Sequence, residues 1–350
     1  MSIEKVNKVQ ELSPEWDHIA HSIYQKRSFL SHLERTNHSN QRYYTLHEKG
    51  VLCAGAVVYS LKINLFTFSK LELKLPMQVI GLPISNDESG VWGGDPYVET
   101  LLSHIFRKER GIVLCLNYAQ DLPNIKTINM RSLPSMIFQI EHDSWEGYMQ
   151  ALRHPYRRRI LKALDKAATV TGRREPCGAF TERHYELYLE VVKRSKTKLE
   201  ILSMAFFKTL PEPFNLNSFY DNEKLVYWNI TLEERKTLYF LFGGLDYKAR
   251  DTYDSYTNNL IEIIKEGIHR ECHVINLGQT AEISKARFGA YKRNNKMCMY
   301  HHNGMIRWLF NSLRNQLSYT SHTGGHRVYH EDKVPMSDIS KNKMHYAGIS

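Results

Sequence analysis

No apolar run in this chain is long enough to cross a bilayer. The longest, residues 51–61 (VLCAGAVVYSL), is about half of the roughly 20 residues a spanning helix needs, and Gly55 and Ser60 interrupt it. The opening MSIEKVNKVQELSPEW mixes acids with bases and holds no apolar stretch of signal-peptide length. A cytoplasmic chain without a transmembrane segment is therefore expected. Cysteine is scarce: Cys53, Cys115, Cys177, Cys272 and Cys298 are odd in number and never approach C-x-x-C spacing, which argues against a disulfide framework or a zinc ribbon. Several lie in apolar, strand-like runs and read as reduced, buried thiols. The motifs G-x-G-x-x-G, G-x-x-x-x-G-K-[ST], G-x-S-x-G and H-E-x-x-H are all missing, so dinucleotide redox enzymes, P-loop NTPases, α/β-hydrolases and zincins lose their support. His322, His326 and His330 are spaced by four, but Gly324-Gly325 breaks the helix that would align them, and no metal is expected.

What is present points to a folded protein with an anionic partner. Apolar residues make up 42% and charged residues 24%, far from the composition of a disordered chain. The 350 residues suffice for two domains, each with its own core. Lys plus Arg number 47 against 37 Asp plus Glu, a net +10, which favours RNA, a nucleotide, a phosphorylated lipid or a membrane surface as partner.

The pattern along the chain repeats. Residues 43–46 and 51–59 read as a hairpin around a Gly50 turn, a strand at 77–81 ends against Pro83, and a helix over 98–109 with Leu101, Leu102, Ile105 and Phe106 on one face precedes a buried strand at 112–116. In the second half, 225–232 and 237–242 read as a hairpin, followed by a helix over 257–269 and a strand at 272–277. GGDPY at Gly93 and GGLDY at Gly243 echo each other, although Gly93-Gly94-Asp95-Pro96 reads equally as a plain turn. Between the halves, 153–174 carries eight basic residues against the single acid Asp165. A helix over 156–168 with Ile160, Leu161 and Leu164 on its inner stripe would expose them, either as a solvated linker or as a phosphate-facing surface. The expected division is an N-terminal domain at 1–150, a basic helix and helical connection at 151–215, a C-terminal domain at 216–320 and a loosely held polar tail at 321–350.

The segment 274–290, VINLGQTAEISKARFGA, carries the most chemistry. A buried strand ends at Gly278, and Gln279-Thr280 then present an amide and a hydroxyl at the mouth where open α/β sheets bind ligands. Lys285 follows six residues after Gln279, with Arg287 close by. A lysine there can set its ammonium against a carbonyl oxygen that turns negative during acyl transfer; an ordinary capped turn with surface Lys and Arg is the alternative. Asp254, in Tyr253-Asp254-Ser255-Tyr256, is either a helix cap or a base and orienter for an incoming amine, with Tyr256 as a hydrogen-bonding wall.

FLSHLE from Phe29, YRRRILKAL from Tyr156 and above all INLGQTAEISKARFGA from Ile275 resemble the tandem acyltransferases of the GNAT superfamily, including the Fem-type peptidyltransferases of peptidoglycan bridge synthesis. The likeness runs over about residues 25–315 in its order of elements. It implies a mixed α/β chain of two tandem GNAT-like domains with a basic interdomain helix, and attack of a primary amine on an activated acyl carbon. It also implies that Lys285 steadies the carbonyl oxygen and that Arg157 and Arg158 face the cleft, with Arg159 beside them on the carrier phosphates. The usual Q/R-x-x-G-x-G/A pyrophosphate loop occurs in neither half, so the donor stays open between acyl-CoA or another phosphate-bearing carrier and aminoacyl-tRNA. The acceptor would be a small or lipid-linked amine. A non-catalytic basic binding module of the same fold is the remaining alternative.

Overall fold

The computed structural model describes residues 1–330 except 38, 70, 85, 119, 121, 123, 196–199 and 322–324. Among these, fifteen strands form two sheets. The first contains β1 (Ser2–Val6), β2 (Arg42–Glu48), β3 (Val51–Asn64), β4 (Lys74–Ile80), β5 (Val91–Gly93), β6 (Ile112–Leu116), β7 (Ile128–Arg131) and, from far along the chain, β15 (Lys296–Tyr300). The second contains β8 (Ser135–Gln139), β9 (Val170–Pro176), β10 (Asn215–Asp221), β11 (Lys224–Glu234), β12 (Thr237–Leu245), β13 (Val274–Asn276) and β14 (Tyr291–Arg293). The spatial orders are β1-β2-β3-β4-β6-β15-β7, with β5 also on β3, and β14-β8-β13-β12-β11-β10-β9. The helices are α1 (Trp16–Ile19), α2 (Arg27–Thr36), α3 (Asp95–Lys108), α4 (Trp145–Ala151), α5 (His154–Lys166), α6 (Glu182–Arg194), α7 (Met204–Lys208), α8 (Arg250–Tyr253), α9 (Ser255–His269), α10 (Glu282–Ala286), α11 (Gly304–Ser312) and α12 (Arg314–Leu317).

The repeat read from the sequence is real in three dimensions. Both expected hairpins form, β2–β3 through Lys49-Gly50 and β11–β12 through Arg235-Lys236, with positive φ at both turn residues in each case. Each hairpin unit then feeds a helix and a parallel strand, α3 to β6 beside β4 and α9 to β13 beside β12. Beyond that point the halves trade strands. The neighbour of β6 is β15, and the neighbour of β13 is β8, both antiparallel. The connections that carry the exchange, 132–134 and 294–295, are tied to each other: Ser132 N donates to Asn295 O (2.9 Å), and Asn295 Nδ2 donates to Leu133 O (3.0 Å) and Ser135 Oγ (2.8 Å). Each sheet is thus incomplete without a strand from the other half of the chain.

The cores interlock as well. One cluster joins Trp16, Phe29 and Val57 to Phe180, Phe206, Phe207 and Trp228, linking the first sheet to the second. The first sheet buries Leu101, Leu102, Ile105 and Phe106 of α3 on one face. Its opposite face carries Met77, Leu114, Met130, Met297 and Met299, which α11 and α12 cover with Phe310 and Leu317. The basic helix α5 packs Ile160, Ala163 and, partly buried, Leu164 against the α9 core, whereas Leu161 is 52% exposed rather than part of the inner stripe. Four of the five cysteines are buried and all five are free. Of the tail 321–350, only 321 and 325–330 are described, and the second stretch is held rather than loose: Val328 is buried, and its carbonyl accepts from Arg153 N at 2.9 Å. His322 lies outside the described residues.

Candidate active site

A cavity of about 850 Å³ opens between the two sheets, at the upper end of the size range of small-molecule sites. Its polar end is built where the crossovers meet. The strand β13 stops at Asn276, and Gly278, Thr280 and Ala281 all adopt positive φ (71°, 64° and 49°), which turns the chain sharply into α10. That turn brings Lys285 back under the strand end, where its Nζ donates to Gly278 O (3.2 Å) and Gln279 O (2.7 Å). The side chain is 2% exposed and lines the cavity. Burial lowers the Lys285 ammonium from its ordinary value to about 7, against the opposing pull of Asp87 and Glu282. An ammonium has three N–H donors, and two find acceptors among the described residues.

The loop between β4 and β5 supplies the acids. Gly81 N donates to Val57 O (3.1 Å) and Val57 N donates to Gly90 O (2.8 Å), so one residue of β3 grips both ends of the loop. A Cβ on Gly90 would collide with the Gly81 backbone, so glycine alone permits this pinch. Asp87 and Glu88, within the pinched loop, line the cavity. Asp87 is anchored to the second sheet: it accepts from Asn276 Nδ2 (2.9 Å), from Ser135 Oγ and from Arg293 Nη2 (2.7 Å). Burial, followed by the neighbouring Asp87 charge, pushes the Glu88 carboxyl up to about 7, with Arg293 opposing. Glu282 is buried on α10 and pairs with Lys292 Nζ at 2.7 Å. Replacing Asp87 with Ala leaves Asn276 Nδ2 without an acceptor and frees the loop. Asp87→Ala is expected to cost about 2–3 kcal/mol in urea unfolding; a loss under 0.5 kcal/mol would contradict this anchoring role.

The residues singled out from the sequence divide into two groups. Lys285, Gln279, Thr280 and Tyr256 line the cavity together. Gln279 Nε2 donates to Leu133 O (2.9 Å), tying the strand-end loop to the crossover. Tyr256 is sequestered enough that burial raises its hydroxyl above the ordinary tyrosine range. Asp254, Arg157, Arg158, Arg159 and Arg287 do not line the cavity. Asp254 has φ 45° at the junction of α8 and α9, where its Oδ1 accepts from Thr257 Oγ1 (2.7 Å), the geometry of a helix start rather than of a base in the cavity. Arg158 and Arg159 are exposed and Arg157 is half-buried. Partial burial and then the Arg287 charge lower the Arg159 guanidinium, with Asp254 opposing, so these three side chains are electrostatic neighbours near the C-terminal end of α10. The arginines and Lys285 therefore do not share one cavity wall. Mutual repulsion along the basic helix is relieved by exposure to solvent. Trp92 packs edge-on against Trp16 in the core at 4.9 Å, outside the cavity. Glu88 and Asp87 escape sequence reading because NDESG looks like any polar turn. Two adjacent acids between two strand ends were the available signal.

No protein-family model matches the sequence, and no curated protein matches it significantly. Solved structures do. The chain is similar to the crystal structure of FemX at 11% identity, over 88% of this chain and 100% of that one, with a TM-score of 0.53. It is also similar to the structure of L-PGS from Bacillus licheniformis at 10% identity, over 81% of this chain and 95% of that one, with a TM-score of 0.50. Likeness at such identity speaks for the fold alone: the chain shares the fold of FemX over nearly its whole length, a mixed α/β fold as expected from the sequence.

Proposed function

We propose that the chain is an N-acyltransferase that moves an acyl or aminoacyl group from a phosphate-bearing carrier to an amine. One observation carries the reading: the buried Lys285 ammonium lines a cavity of about 850 Å³ and, among the described residues, has a donor to spare after Gly278 O and Gln279 O. In the low-dielectric cavity that N–H is suited to the oxygen that becomes negative when an amine attacks the acyl carbon. Glu88, pushed up to about 7 and lining the same cavity, takes the proton that the amine must lose, the role that Asp254 is not placed to fill. The new C–N bond forms as the carrier's oxygen or sulfur leaves with the electron pair of the broken acyl bond, and Glu88 can return the proton to it. Arg157, Arg158 and Arg159, with Arg287, are assigned to the carrier's phosphates outside the cavity.

The carrier is acyl-CoA or aminoacyl-tRNA. The exposed arginine-rich helix favours the second as the rival donor, since three adjacent guanidinium groups suit a polyanion. A transfer assay decides: the protein is incubated with an amine pool and either an acyl-CoA mixture or charged tRNA, and new amides are read by mass spectrometry. Amide formation with one donor class is expected. With tRNA as donor, affinity should fall by orders of magnitude between 50 and 200 mM salt, as phosphate contacts release counterions. Binding of either donor with no amide formed across the pool would leave a non-catalytic binding module of this fold.

A further inference from the structure

The cavity has a second end that the acyl-transfer chemistry leaves unused. Its floor is one face of the first sheet, where Met77 of β4, Leu114 of β6, Met299 and Met297 of β15 and Met130 of β7 line it. These strands are consecutive neighbours in the sheet, so the floor crosses three strand spacings, ~14 Å at ~4.8 Å each. An extended chain advances ~1.2 Å per bond, from ~3.5 Å per three-bond residue, so about twelve bonds fit along that floor. The floor is continuous with the polar end: Leu133, three residues from Met130, lines the cavity and accepts from Gln279 Nε2. Four methionines on one wall make a soft, adaptable apolar surface with no fixed shape to match. The covering segments are themselves greasy outside. Among the described residues, five of the twelve exposed large apolar ones lie on two of these segments: Leu71 and Leu73 on the loop after β3, and Met305, Trp308 and Leu309 on α11. Phe68 of that loop packs edge-on against Tyr319 beyond α12 at 5.4 Å, so both segments close the same lobe.

We infer that the transferred group is a straight aliphatic acyl chain of about ten to twelve carbons, lying along the methionine floor with its carbonyl at Lys285. This rests on the acyltransferase reading above and narrows its donor to a medium-chain acyl carrier. An acetyl group would leave the floor bare, and an aminoacyl group would bring a second polar centre beside the carbonyl.

The test is binding, with no need of turnover. Saturated fatty acids from four to sixteen carbons displace a fluorescent polyene fatty acid from the intact chain, and n-alkylamines of the same lengths form a second series. Affinity for the acids should rise about fourfold per methylene and level off near twelve carbons. Met77→Trp, at the far end of the floor on β4, should bring the plateau down by several carbons and leave the four-carbon acid unchanged. Leu114→Phe repeats the test should the first variant not fold. A flat series, a plateau that neither filled variant moves, or a length dependence confined to the amines would each overturn the inference, the last by giving the chain to the acceptor. Failure of the acyltransferase reading looks different: a length-dependent acid series with no amide formed from any acyl-CoA or charged tRNA removes the reaction and leaves the chain site. Conversely, amide formation from acetyl donors alone removes the chain site and leaves the reaction.

Discussion

Lys285→Ala is expected to lower kcat by about 10²–10³-fold and to leave donor affinity within a few-fold, because the lost N–H acts on charge that develops only in the transition state. Lys285→Arg should not restore the rate, since a planar, delocalised guanidinium does not reproduce the compact ammonium held by Gly278 O and Gln279 O of the strand-end turn. The wild-type rate should fall as pH rises through about 7, where the ammonium loses its proton, and that descending limb should vanish in the alanine variant. Stability moves the other way. The folded Lys285 binds its proton more weakly than the unfolded one, so between about 7 and the ordinary lysine value the unfolded chain holds more protons and stability rises with pH. Below about 7 the burial cost is fully present. At pH 6 Lys285→Met should therefore be more stable than the wild type by about 1–3 kcal/mol while inactive, as is common when a buried charge gives way to an apolar side chain. A variant with unchanged kcat would remove Lys285 from the chemistry.

Glu88→Gln should lower kcat by about 10²–10⁴-fold, the usual contribution of a general base. Glu88 must be ionised to accept the amine proton, so the wild-type rate should rise through about 7 on the acid side; with Lys285 failing on the alkaline side, the profile is a narrow bell centred near pH 7. Glutamine should erase the ascending limb only. Glu88 also weakens the fold in its own window. Its folded value is raised, so the folded chain binds more protons between the ordinary Glu value and about 7, and stability is lost as pH climbs through that range. Glu88→Gln should therefore be more stable than the wild type by about 3 kcal/mol at pH 8 and nearly equal to it at pH 4. Loss of activity with an unaltered ascending limb would show that Glu88 only shapes the cavity. The two residues thus work at opposite costs, a buried cation and a partly buried acid set around one space, as expected of paired acid and base groups.

Much of this was legible in the residues. The two hairpins, α3, α9 and β6 follow directly from alternation and from 3.6-residue spacing, and the duplication shows because both halves obey the same local rules. Lys285, Gln279 and Thr280 were readable because a strand end followed by a polar turn is a local pattern with a known geometric outcome. The basic helix was legible as a helix but not in its placement: eight cations in 22 residues mark a charged surface, and where they sit relative to the cavity depends on which way α5 packs on α9. Asp254 shows the same limit, because a cap and a base look alike until the distance to a cavity wall is known.

Glu88 became a candidate only through contacts far apart in sequence. Val57 pinches the ends of its loop, and Ser135, Asn276 and Arg293 hold Asp87 beside it, so the site draws on residues more than 200 positions apart. The exchange of β8 and β15 is of the same kind. Segments of five residues carry too little periodicity to say which sheet they join, and pairing is settled by which open edge lies within reach of a two- or three-residue connection. By itself the sequence determined the two hairpins, α3, α5, α9, β6 and the strand-end lysine, because those rest on forces between near neighbours. Only the tertiary structure decided which side chains share the cavity, because burial and charge pairing act through space, and the shifted pKa values of Lys285 and Glu88 both arise from that enclosure.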